Sequence, residues 1–158
     1  NRDFMISSRV CDKYGMELIE DPTLINLYNR RILLMHGDTL CVDDVKYQEF
    51  RKLVRDKSWQ KQMMEKSLKE RLVMADALRV KSMNETSNKD EFIMDVNEEE
   101  VKKCFIHSGA EIIIHGHTHR PKIHQEKYGT RYVLGDWEKE YYFLKISETI
   151  EFVNEKID

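Results

Sequence analysis

The chain has no apolar run approaching the roughly 20 residues that a membrane-crossing helix needs, so no spanning segment is expected. Its opening residues, NRDFMISSRV, lack the apolar stretch of a secretory signal peptide, and none is expected. C-x-x-C spacing is also missing. Cys11, Cys41 and Cys104 lie far apart, which argues against a zinc ribbon or a disulfide framework and suits a reducing cytoplasm. There is no internal repeat and no low-complexity tract. From Asp43 to Val80 there is neither glycine nor proline, so nothing in the backbone chemistry interrupts a helix there. What remains is the mix of a soluble globular protein, 41% hydrophobic and 35% charged, in 158 residues that suit one domain with a real core.

A net charge of −3 conceals an asymmetry. Residues 46–89 hold twelve Lys and Arg against six Asp and Glu, a net +6 that leaves −9 for the rest. Such a segment is either a solvated helical face or a surface for an anionic partner.

Periodicity predicts a mixed α/β domain with a helical insertion. Residues 5–15 read as a short helix closed by Gly15, followed by a strand over Met16–Ile19. TLINLYNRRILLMHGD reads as two strands, 24–28 and 31–36, joined at Asn29-Arg30. Tyr47, Phe50 and Val54, then Leu68, Leu72 and Ala75, repeat at helical spacing and predict two helices breaking near Ser67. Residues 81–91, KSMNETSNKDE, read as a polar loop. A further helix is expected from Asn97 as N-cap, with Glu100 as its capping-box partner, to Gly109. Strand 111–115 comes next, then antiparallel strands that include Tyr141–Ile146 and Ile150–Val153.

Two strands therefore end in chemistry: the first in His36-Gly37-Asp38, the second in EIIIHGHTHRP. Ends of strands in α/β sheets are where loops converge on a crevice. In an extended segment alternate residues face the same way, which would put His115, His117 and His119 on one face. Gly116 would let the backbone approach a ligand, and Thr118 would steady the loop. His115, adjoining the core run, reads as a hydrogen-bonded structural histidine. The set as a whole reads as a metal site, with His36 joining it from the other strand. Imidazole with carboxylate and amide oxygen suits Mn, Fe or Zn.

Asn1-Arg2-Asp3, His36-Gly37-Asp38 and Gly116-His117-Thr118-His119 follow the order of blocks in the calcineurin-like metallophosphoesterases, which the chain resembles. The stretches HGDTLCVDD, YQEFRKLVR, IMDVN, IHGHTHRP and VLGDW are similar to a bacterial branch of them, the lipid A pathway pyrophosphohydrolases acting on UDP-2,3-diacylglucosamine. The resemblance implies an αββα sandwich with a helical lid insertion at 43–90. It implies two divalent metals, manganese foremost, that activate water: Asn1, His36 and His117 on one, His119 on the other. Arg2 and His117 are the catalytic residues it implies, and Asn1, Arg2, Asp44, Ser82, Thr86, Lys89 and His117 its substrate contacts. The family commonly has Asn where Thr86 stands. Many relatives have His where Arg2 stands, to protonate an alkoxide. A sugar 1-phosphate leaves without a proton, because its second pKa is near 6, so Arg2 suits a pyrophosphate substrate.

The family's first-strand D-x-H and its later G-D are not in this sequence. The expectation is a C-terminal portion of the domain, without its first strands and inactive alone. The lid's apolar stripe (Tyr47, Phe50, Val54, Trp59, Met63, Leu68, Leu72) would receive acyl chains. Its basic face would rest on an anionic membrane, placing the protein on the cytoplasmic face of the inner membrane. Two rival readings are a metallophosphoesterase for other nucleotides or phosphodiesters, and a scaffold on the same fold without metals. A nucleic-acid binder is disfavoured, since the aromatics of the basic segment lie on its apolar face.

Overall fold

The computed structural model describes residues 5–86 and 93–157. At its centre are two parallel strands, β2 (Arg30–Leu34) and β3 (Ile112–His115). Outside β2 lies β1 (Thr23–Leu27), antiparallel to it. Outside β3 come β5 (Gly129–Val133), parallel, and β4 (Lys122–Glu126), antiparallel to β5. The order is β1-β2-β3-β5-β4, with β6 (Glu140–Ile146) and β7 (Ile150–Lys156) as a separate hairpin.

Both faces of this sheet are covered, which is why β3 is buried at every position and reads as the apolar run Ile112–Ile114 before His115. Leu33 and Ile113 face one side, where they pack with Val101 and Phe105 of α5 (Glu98–Ser108) and with Leu40 and Ala110. Ile32, Ile112, Ile114 and Tyr132 face the other, against Leu144, Ile146, Ile150 and Phe152 of the hairpin. A wholly buried side chain such as Ile113 contributes about 1.5–3 kcal/mol by leaving water. Along β2 and β3 successive side chains point to opposite faces, each with its own core cluster, so register and core are set by the same residues.

Helix α5 forms for local reasons. Asn97 accepts hydrogen bonds from the N–H groups of Glu99 and Glu100, three glutamates occupy its first turn, and Gly109 ends it in the left-handed region. The capping box is only half made. The Asn97 N–H donates to the Leu40 carbonyl, and the Glu100 carboxylate pairs with Lys103 instead. The first hairpin turns at Tyr28-Asn29, both at positive φ, one residue earlier than expected; paired positive φ values suit the twist of the flanking strands.

Three expectations are corrected. Met16–Ile19 is not a strand: after α1 (Ser8–Tyr14) the chain runs without ladder pairing among the described residues, and Leu18 and Ile19 are exposed. The insertion contains three helices rather than two: α2 (Val45–Val54), α3 (Lys57–Glu65) and α4 (Leu68–Thr86). The extra break comes at Asp56, whose carboxylate caps a new helix by accepting from the Trp59 N–H at 2.8 Å. At the second break, Ser67 and Glu70 exchange bonds as a complete capping box. Residues 81–86 are the end of α4 and not loop. Among the described residues, no helix is long and apolar enough to cross a membrane.

Candidate metal centre

Because β2 and β3 run parallel, their C-terminal ends open at the same edge of the sheet. Pairing continues past the strands: the Met35 N–H donates to the Ile114 carbonyl at 3.1 Å, and the Gly116 N–H to the His36 carbonyl at 3.1 Å. The two histidine loops are thus stitched together by backbone. His36 and His117 meet edge-on, ring centroids 5.0 Å apart.

Burial disfavours the imidazolium form of both rings. It lowers His36 from its ordinary value and brings His117 down to about 4, where the neighbouring His36 adds to the effect. Both are neutral at pH 7. The His36 Nε2 is buried with no hydrogen-bond partner among the described residues, while its backbone N–H is held by Asp21 Oδ1 at 3.0 Å. Two desolvated neutral imidazoles, one with an uncommitted ring nitrogen, have the donor chemistry of a divalent transition-metal site. The fit is incomplete within the described residues, where no three His, Cys, Asp or Glu side chains converge for a cation.

The expectation that His115, His117 and His119 share one face of an extended segment is overturned. Extension ends at His115. His117 and His119 take positive φ, 62° and 52°, which turns the chain at each of them. His115 is instead buried at the sheet end. Its Nδ1 donates to the Gly116 carbonyl at 3.0 Å and its Nε2 accepts from Arg131 at 3.2 Å. Burial lowers its pKa to about 4. His119 is exposed and lies 3.4 Å from the Asp136 carboxylate, within the VLGDW stretch.

The remaining candidates are scattered. Asp44 is buried as the N-cap of α2, accepting from the Tyr47 N–H at 3.1 Å. Ser82 is exposed on the last part of α4, and Thr86 is that helix's final residue. Asn1, Arg2, Lys89 and the Thr86 side chain lie outside the described residues.

Sequence reasoning missed the group that docks α2 to the site. Asp38 Oδ2 accepts from Arg51 Nε at 2.9 Å, with Tyr47 Oη at 3.3 Å and Arg55 Nη2 at 3.5 Å. Burial alone would raise the Asp38 carboxyl, but Arg51, His36 and Arg55 outweigh it and hold the group below the usual carboxylate range. Tyr47 also stacks at a tilt on His117, centroids 4.8 Å apart. Two arginines of the basic segment, Arg51 on α2 and Arg55 at its C-cap, are therefore paired with Asp38 and are not part of a free basic face. Their spacing of four residues was the available signal. Beside His36 opens a cleft of about 340 Å³ lined by Ile19, Asp21, Tyr47, Phe50, Arg51 and Arg55, among others.

Parallel strands ending in paired, neutral histidines, under a sheet covered by helix on one face and hairpin on the other, point to a metal-dependent hydrolase. Residues 6–121 match the family described as calcineurin-like phosphoesterase, and the chain belongs to that family. Membership implies divalent metal ions. Over 153 residues the chain is 46% identical to the UDP-2,3-diacylglucosamine hydrolase of Haemophilus influenzae, covering 96% of this chain and 65% of that protein. It is similarly 45% identical to the hydrolase of the same name from Marinobacter nauticus, over 94% of this chain and 62% of the relative. For the Pectobacterium carotovorum hydrolase the identity is 41%, over 98% and 66%. The chain thus spans slightly less than two thirds of the length of these relatives.

Proposed function

We propose that this chain belongs to an enzyme hydrolysing the pyrophosphate of UDP-2,3-diacylglucosamine to UMP and 2,3-diacylglucosamine 1-phosphate. The observation that supports it is the pairing of neutral His36 and His117 at two parallel strand ends. It occurs in a chain 41–46% identical, over 94% or more of its length, to hydrolases named for that substrate.

His36 and His117, with Asn1, are assigned to one cation and His119 to a second; manganese is the metal assigned. When bound, such cations neutralise phosphate oxygens and lower the pKa of water in the site. The chain's own residues do the rest. Arg2 offers a planar guanidinium to the phosphate oxygens, where charge neutralisation is wanted rather than a proton. His117 orients the phosphoryl group beside it. Asp44, Ser82, Thr86 and Lys89 contact the substrate from the helical lid, residues 43–90. Phe50 and Tyr47 line the cleft next to His36, giving apolar surface within reach of a polar headgroup site. Leu68, Leu72 and Val73 are exposed along α4, an apolar strip that suits acyl chains or a lipid surface better than water. The protein is assigned to the cytoplasmic face of an inner membrane as a peripheral protein, a reading supported by that strip and by the exposed Lys61 and Lys69 near it in sequence.

The test is turnover by the full-length protein with Mn²⁺, following UMP release from UDP-2,3-diacylglucosamine by phosphorus NMR. Turnover is expected, and loss of it in His117→Ala with the fold retained. Hydrolysis of a water-soluble phosphodiester, with the diacyl substrate left intact, would overturn the substrate assignment.

A further inference from the structure

The proposed metal pair rests on a second group of side chains that the reaction does not use. His115 lies beneath both loops at once. Its Nδ1 is bonded to the Gly116 carbonyl, which also accepts from the Thr118 N–H at 2.7 Å. A methyl group at Gly37, in the other loop, would come within 2.7 Å of that same Nδ1. On its far side His115 meets Arg131 of β5, which is buried and whose Nε donates to Glu126 of β4 at 3.0 Å.

Donor and acceptor chemistry fixes the roles. A carbonyl oxygen only accepts, so Nδ1 carries the proton. A guanidinium only donates, so Nε2 must present its lone pair. One tautomer satisfies both contacts. Were the proton on Nε2, the ring would confront Arg131 with a second donor and leave the Gly116 carbonyl with one partner fewer.

We propose that Arg131, braced by Glu126, is a positioning residue. By accepting only the Nδ1–H tautomer of His115 it locks the Gly116 peptide, and so sets the backbone from which His117 departs at positive φ. The chain of contacts Glu126–Arg131–His115–Gly116 couples the outer hairpin β4–β5 to the histidine loop. Arg131 touches neither substrate nor metal. This inference rests on His117 being a metal ligand only for its effect on metal binding; the tautomer lock stands without it.

The experiment uses two readouts on the full-length protein. Long-range proton–nitrogen NMR of metal-free protein reports the His115 tautomer, and calorimetric titration reports Mn²⁺ affinity. In the parent, His115 is expected as Nδ1–H. In Arg131→Met the ring should lose that single tautomer, with faster amide exchange at His117. Mn²⁺ affinity should fall by up to about 10-fold, less than the larger losses seen when a direct partner of a ligand is removed, because Arg131 acts on His117 only through His115 and the Gly116 peptide. Arg131→Lys, which still donates to Nε2, should keep the tautomer and recover most of the affinity. Should Arg131→Met not fold, Glu126→Gln serves, since its site is partly exposed and only the brace is weakened. It should raise amide exchange at His117 and weaken Mn²⁺ binding in the same direction. An Arg131→Met protein (or, failing that, a Glu126→Gln protein) with unchanged His115 tautomer and amide exchange would overturn the proposal. If the parent binds no Mn²⁺ yet shows the tautomer lock, the metal assignment fails and the lock survives.

Discussion

Removing the Asp38 carboxylate should unlatch α2 from the histidine loop, and the size of the effect follows from its surroundings. Asp38 is 1% exposed and receives one short bond, from Arg51 Nε at 2.9 Å; the Tyr47 and Arg55 contacts are at the long edge of hydrogen bonding. Breaking a buried ion pair from one side costs about 3–5 kcal/mol. Arg51 and Arg55 keep 21% and 36% side-chain exposure, so water can recover part of their solvation, and the low end applies. Asp38→Ala should then cost about 3 kcal/mol, or roughly 6–12 °C in Tm for a chain of this size. Asp38→Asn keeps the shape and one acceptor and should cost about half as much, on the scale of a single charged hydrogen bond. Urea unfolding of Asp38→Ala, Arg51→Met and the double variant, with chelator present, completes a cycle. The coupling should be about 1.5–3 kcal/mol. A coupling below about 0.5 kcal/mol, the usual limit of additivity for independent sites, would refute the latch.

Gly37→Ala should cost about 2–4 kcal/mol, because its φ of 104° is strained for alanine and the added methyl meets the His115 ring at 2.7 Å. Chemical denaturation checks this, and stability equal to the parent would show that the His115 ring can move freely. The full-length protein should sediment with anionic vesicles at low salt and be released as the Debye length shrinks to about 10 Å at 0.1 M. Reversing Lys61 and Lys69 should weaken that binding more than reversing Arg51, whose charge is already taken by Asp38. Absence of vesicle binding at low salt would remove the membrane from the account.

Much of the frame was written locally. The apolar run Ile112–Ile114, the Asn97 cap, Gly109 and the alternating C-terminal hairpin encode their elements through spacing and backbone chemistry, which neighbours in sequence are enough to express. G-H-x-H after a core strand and His-Gly-Asp after another likewise marked the edge where His36 and His117 meet. Tertiary structure decided which histidine does what. His115 is assigned by Arg131, on a strand that follows the histidine loop in sequence yet lies beside β3 in space. His117 and His119 were separated by left-handed turns that no periodicity encodes. Arg51 and Arg55 read as surface charge until Asp38 was seen buried within reach of both. Periodicity records which side of an element meets the core, whereas the partner of a long charged side chain depends on which elements the fold sets next to one another.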